Sequence, residues 1–140
     1  MTGIPSAGST PISTLAGYPV ARVAADATVA DVAEAMVADE VGAIVVGDDE
    51  RPAMLVSERD IVRVVAAGKD PAAVRAVDVA STKLVWCDAE ATVDEVAIRM
   101  MERYIRHMLV ERDGVLVGIV SARDLLGAYC ADADLDFGSA

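Results

Sequence analysis

Val29, Val32, Ala33 and Met36 recur at helical spacing behind Thr28, a good N-cap, and predict an amphipathic helix ending near Asp39. Gly42 to Val46 is a continuous apolar run rich in β-branched residues. It breaks at Gly47-Asp48-Asp49-Glu50 and resumes from Ala53 to Val56, the pattern of a hairpin. From Glu58 a second helix carries Ile61, Val62 and Val65 on one face and stops at Gly68, with Pro71 forbidding continuation. Ahead of these, Ile12 and Leu15 form a short apolar turn, and Val20 to Val23 reads as a strand after the Gly17-Tyr18-Pro19 break.

The same layout returns 64 positions later. Ala27-Thr28-Val29 matches Ala91-Thr92-Val93, Met36 matches Met100, Val46 matches Val110, and Ser57 and Asp60 match Ser121 and Asp124, all without a gap. Of the 36 pairs running from Ala27 to Val62, 12 are identical, which identifies the chain as a duplicated unit and fixes its architecture. The second copy reads as a strand from Leu84 to Cys87, a helix from Thr92 to Glu102, strands Arg106–Val110 and Val115–Val120, and a helix from Ala122 to about Tyr129. Ala72 to Ala80 forms a short helical connector.

The expected fold is therefore α/β (α+β), two tandem βαββα repeats. The chain divides into a flexible start (1–10), a first repeat (11–70), a connector helix with the second repeat (71–130) and an acidic flexible tail (131–140). A unit of about 60 residues is marginal alone, so the two repeats are expected to share one core in an intertwined module. Each helix turns an apolar stripe (Val32 and Met36; Val96 and Met100) that calls for a partner, so a homodimer is expected.

Charge narrows the function. A net charge of -11 argues against nucleic acid, whose phosphates need clustered Lys and Arg. No apolar run approaches the roughly 20 residues that span a bilayer, and the N-terminal stretch lacks the basic and apolar regions of a signal peptide. No membrane association and a cytoplasmic location are expected. Cys87, Cys130 and the single His107 show no metal-ligand spacing, and both thiols are expected to be reduced. There is no Cys-His pair at usable spacing, no Gly-x-Ser-x-Gly elbow, no Walker loop and no general-acid carboxylate pair, so catalysis is not expected.

The residues left to carry chemistry lie at the strand-to-helix junctions. Ser57-x-x-Asp60 and Ser121-x-x-Asp124 read in two ways. One is a capping box, in which the hydroxyl accepts a helix N–H and the acid reaches back. The other is a ligand site: the electropositive helix N-terminus holds a phosphate beside the Ser hydroxyl, and Asp accepts from sugar hydroxyls. Arg59 and Arg123, inside each motif, are first-turn surface residues or phosphate partners. Trp86 reads first as an interface residue.

A strand entering a helix through Ser-x-x-Asp in two tandem βαββα units, with the pattern Gly-h-x-Ser-x-x-Asp complete in the second, resembles a pair of CBS (cystathionine β-synthase type) domains. Asp26-Ala27-Thr28-Val29, Ala89-Glu90-Ala91-Thr92-Val93 and Ile105-Arg106-His107-Met108-Leu109-Val110 add to the match, which covers nearly the whole chain. The Gly42-Ala43 strand, Asp60-Ile61-Val62 and Ala66-Ala67-Gly68-Lys69-Asp70-Pro71 also resemble small stand-alone actinobacterial CBS-pair proteins, including the hypoxic-response type. The resemblance implies a regulatory module, in energy sensing or stress response, that binds an adenosine compound in a cleft between repeats. The candidates are AMP, ADP, ATP and S-adenosylmethionine, and no cofactor is required. Carried over residue by residue, Ser57, Asp60, Ser121 and Asp124 are the binding residues. The alternative is a ligand-free dimer or interaction module.

The repeats differ in ways that favour the second. Met54 stands where the second repeat has Gly118, which would permit close ligand approach, and Gly42-Ala43 stand where it has the basic pair Arg106-His107. Gly17 to Ala80 carries six basic and twelve acidic residues, against six and eight from Ser81 to Gly127. The expected ligand set is Ser121, Asp124, Arg106, His107, Gly118 and Arg123, with Ser57 and Asp60 its first-repeat counterparts. Alternatively, Arg106 and His107 read as a solvated strand position and a satisfied imidazole, or serve the Asp60 site.

Overall fold

Two of the helices begin at a threonine that closes a reciprocal cap. In the computed structural model, which describes residues 6–17 and 19–132, helix α1 (Val29–Asp39) starts where the Asp31 N–H donates to Thr28 Oγ1 at 3.1 Å. The Thr28 N–H in turn donates to Asp31 Oδ2 at 2.9 Å. Thr92 and Glu95 repeat this at helix α4 (Val93–Arg103), with distances of 3.2 and 3.1 Å. Both helices end on a left-handed residue, Glu40 (φ 54) and Tyr104 (φ 55), where glycine is the usual choice.

The remaining elements repeat in step. Strand β1 (Arg22–Val23) runs parallel to β2 (Ala43–Val46), and β2 pairs antiparallel with β3 (Leu55–Ser57), which runs into α2 (Glu58–Ala66). After the short α3 (Ala76–Val79), β4 (Trp86–Asp88) pairs parallel with β5 (His107–Arg112). Strand β5 pairs antiparallel with β6 (Val115–Ser121), which leads into α5 (Ala122–Asp132). Each half is thus an α/β unit with a three-stranded sheet, as the repeat predicted. The α5 helix runs to Asp132, past the expected end near Tyr129. The rest of the expected flexible tail, 133–140, and residues 1–5 of the expected flexible start lie outside the described residues.

The chain divides into two compact units, one of residues 19–84 and one of residues 1–18 with 85–140. Neither is one continuous repeat. In the first unit the connector lies on its own repeat: the Val29 N–H donates to Val74 O, the Ala76 N–H to Ala27 O, and Ser81 bridges Leu55. In the second unit the segment before β1 takes the same place. The Val93 N–H donates to Thr10 O, the Ile12 N–H to Ala91 O, and Gly17 bridges Ile119. Every partner in the second set stands 64 residues from its counterpart, so residues 10–17 and 74–81 are equivalent straps. Ile12, which the sequence assigns to the first repeat, therefore lies in the core of the second unit, with Leu15 packed against that core.

Val32, Met36, Ile44, Val46, Val56 and Ala76 form one core. Ile12, Val93, Val96, Met100, Met108, Val110 and Val120 are among those that form another, so each unit has its own core in place of the single shared core expected. This corrects the expectation that Val32, Met36, Val96 and Met100 expose a face for dimerisation, because their own sheets cover them. The exposed apolar residues of these helices lie elsewhere, at Val37, Ile98, Met101 and Tyr104.

Residues 7–9, expected to be part of a mobile lead-in, form a 3₁₀ turn whose Gly8 is buried. A Cβ at Gly8 would overlap the Asp94 carboxylate, which accepts a hydrogen bond from the Tyr129 hydroxyl. That bond pushes the Tyr129 phenol up to about 12. The strap is thereby fitted against both helices of the second unit. Ile12 is fully buried, so Ile12→Ala is expected to lower unfolding free energy by about 2–5 kcal/mol in urea denaturation.

Candidate functional site

Strand β6 passes directly into α5 at Ser121, and the turn is held by backbone as well as side chain. The Ala122 N–H donates to Arg106 O at 2.8 Å, tying the start of the helix to the residue that precedes β5. The Ser121 N–H donates to Asp124 Oδ2 at 2.8 Å, and the Asp124 N–H donates to Ser121 Oγ at 3.1 Å. His107 is registered opposite Ser121 across the sheet. Arg106, His107, Ser121, Arg123 and Asp124 are therefore gathered at one end of the β5–β6 pair. Asp124, Arg123 and Arg106 are exposed, while His107 and Ser121 are half-buried.

The first unit builds the same junction from β3 and α2. The Glu58 N–H donates to Gly42 O, and the Ser57 N–H and Oγ both donate to Asp60 Oδ2, at 2.8 and 3.1 Å. Ala43 occupies the register position of His107, so this junction has no basic pair on its neighbouring strand. Ser57 and Asp60 belong to a different unit from Ser121 and Asp124.

Both Ser-x-x-Asp motifs are thus capping boxes, as are the two Thr motifs at α1 and α4. Capping and ligand binding are compatible, because each cap uses only Oδ2 of its aspartate. Two residues carry different duties from those their spacing suggested. A Cβ at Gly118 would come within 2.6 Å of the Ala16 Cβ and 3.2 Å of Gly17 O, so this glycine admits the strap. Met54, expected to obstruct the first site, packs against its own unit's core. Trp86 is half-buried on β4 opposite Leu109.

A groove in the first unit is lined by Asp60, Arg63, Val64, Ala67, Lys69 and Val79. Arg63 and Lys69 were not anticipated as site residues. Their signal was the placement of Arg63 one helical turn beyond Asp60, and of Lys69 just past the helix-ending Gly68. Cys87 and Cys130 are free thiols, and burial pushes Cys87 up to about 11. Among the described residues no three His, Cys, Asp or Glu side chains converge as metal ligands, and no helix is long and apolar enough to cross a membrane.

Two βαββα units, each with a capped Ser-x-x-Asp junction, define a CBS-domain pair. The CBS domain model matches residues 12–67 and 75–131, and the chain belongs to that family, a non-catalytic regulatory module. It is 35% identical over 88 residues to Hypoxic response protein 1 of Mycobacterium tuberculosis, covering 61% of this chain and 62% of that protein. An uncharacterized Methanopyrus kandleri protein is 33% identical over 85 residues, covering 59% of this chain and 43% of its own length. The chain thus matches less than two thirds of either relative.

Among solved structures, a protein with CBS domains from Burkholderia ambifaria superposes with a TM-score of 0.83 at 26% identity, covering 92% of this chain and all of that one. A CBS domain protein from Pyrobaculum aerophilum, complexed with AMP, gives 0.74 at 30% identity, covering 86% and 98%. A hexameric cyanobacterial CBS-CP12 protein gives 0.75 at 28%, covering 83% and 66%. CBS-domain proteins of this fold bind adenosine nucleotides, and some assemble into oligomers.

Removing the Asp124 half of the α5 cap leaves the Ser121 N–H without its acceptor. Asp124→Ala is expected to cost about 0.5–2 kcal/mol of stability in urea denaturation without loss of fold.

Proposed function

We propose that this chain is a regulatory sensor that binds an adenosine nucleotide at its strand-to-helix junctions and performs no chemistry on it. The observation that carries the reading is the register of His107 opposite Ser121, which brings a basic pair beside a helix N-terminus and its Ser-x-x-Asp. In this reading Ser121 Oγ and the Arg123 backbone N–H approach the phosphate. Arg106 and His107 add charge, and Asp124 Oδ1, outside the cap, accepts from ribose hydroxyls. The AMP bound by the Pyrobaculum relative supports the ligand class. AMP, ADP, ATP and S-adenosylmethionine all offer the ribose that Asp124 would read, and a role in energy sensing or stress response follows if the nucleotide level is the signal.

Calorimetric titration with these four compounds tests the reading. At least one is expected to bind, and Asp124→Ala, in a folded protein, is expected to weaken that binding by about 1–3 kcal/mol through loss of charge-assisted hydrogen bonds. No binding by any of the four would leave the interaction-module reading in its place.

A second copy of the chain is the partner we propose, a homodimer. Val37 and Met101 stand at equivalent repeat positions, are 80% and 77% exposed, and lie on the solvent side of equivalent helices. Val62 and Leu126, also equivalent, are each 63% exposed. Apolar side chains kept exposed at the same positions in both repeats suit a symmetric contact. Sedimentation at micromolar concentration is expected to give a dimer, and Val37→Glu with Met101→Glu a monomer.

A further inference from the structure

The surface charges on α1 and α2 are sorted by sign. On α1 the exposed charged side chains are Asp31, Glu34 and Asp39, followed by Glu40 at the cap, and the helix contains no lysine or arginine. On α2 Arg59 and Arg63 are exposed beyond Glu58 at its first position, and the remaining acid, Asp60, is drawn into the cap with a side chain only 12% exposed. Each helix also keeps apolar side chains in solvent beside these charges: Val37 on α1, 80% exposed, and Val62 and Val65 on α2, 63% and 61% exposed. Helical spacing puts Glu34 one turn before Val37, and Arg59 one turn before Val62 with Arg63 next to it. Ala33, Glu34, Val37 and Ala38 line a shallow apolar groove on α1, where the alanine side chains leave room for another helix to approach.

The second unit lacks this pattern. Ile98 stands at the position of Glu34 and Gly127 at that of Arg63, so the two opposite charges are lost together. Helix α4 mixes signs, with Asp94, Glu95, Glu102 and Arg103 exposed, and α4 and α5 show Ile98, Met101, Tyr104 and Leu126 to solvent. A contact between unlike units would set Glu34 against Gly127 and Arg63 against Ile98, desolvating both charges and answering neither. A contact between like units answers them, because a two-fold axis that lays α1 of one copy on α2 of the other pairs acid with base twice. Laying α1 on its own counterpart would instead bring acid to acid.

We infer that the homodimer pairs first unit with first unit, α1 of one copy lying against α2 of the other, with Glu34 facing the partner's Arg63 and Val37 packing beside the partner's Val62 and Val65. The inference rests on the homodimer proposed above and goes beyond it in specifying which faces meet. Burial of the three valines supplies the apolar centre of the contact, and the charges at its rim select this pairing over the others.

Sedimentation of the full-length chain over a series of concentrations tests the pairing. Glu34→Arg and Arg63→Glu are each expected to weaken the dimer about 10-fold or more, because each sets like charges together in both copies of the contact. Carrying both substitutions in one chain, or mixing the two single variants, puts opposite charges back at both contacts and is expected to return the dissociation constant to near its original value. Both residues are exposed, so the variants are expected to keep the parent's circular dichroism spectrum. A dimer that neither reversal weakens, or that the paired reversal fails to restore, overturns the pairing and leaves the homodimer standing. A monomer of the unsubstituted chain at micromolar concentration removes both.

Discussion

Each unit of this protein depends on a strap that its own repeat's sequence does not contain. A βαββα repeat leaves one end of its long helix and one edge of its sheet without backbone partners, and residues 10–17 and 74–81 supply them. A unit of around 60 residues is marginal alone, and a strap that also inserts Ile12 or Ala76 into the core adds to what it buries. The second unit is completed only by residues that precede β1 in the chain.

The same constraint explains Gly118. The strap's Ala16 and Gly17 lie so close to β6 that a side chain at 118 would displace them. In the first unit Ser81 bridges Leu55, and Met54 turns instead into the core. A glycine that spacing alone assigns to ligand approach is thereby accounted for by packing. The difference between the junctions that survives is electrostatic: Arg106 and His107 beside Ser121, Gly42 and Ala43 beside Ser57.

Capping and recognition share atoms here without excluding each other. The helix needs one carboxylate oxygen and one hydroxyl lone pair to satisfy its first turn, and an ionised Asp with a Ser has more than that to give. Asp124 is exposed, and Asp60 Oδ1 lies 3.8 Å from the Arg63 guanidinium. The junctions differ in the basic residues around them: Arg106 and His107 at the start of β5 beside Ser121, and Arg63 on α2 with Lys69 just past it near Asp60.

The 64-residue period, the helix starts at Thr28 and Thr92, the hairpins and the four Ser and Asp junction residues were all legible in the sequence. They depend on local periodicity and on short-range hydrogen bonds between residues three apart. The straps were not. Between 10–17 and 74–81 only Ala16 and Ala80 are identical, because a strap is held by backbone N–H and C=O groups that any side chain leaves available. Helical spacing identified Val32, Met36, Val96 and Met100 as an apolar stripe. Only the sheets decided that this stripe faces inward, while Val37 and Met101 remain outside. Arg63 and Lys69 read as ordinary surface charge until a helix turn and a left-handed glycine placed them around Asp60, since a groove is made by elements meeting and leaves no periodic trace along the chain.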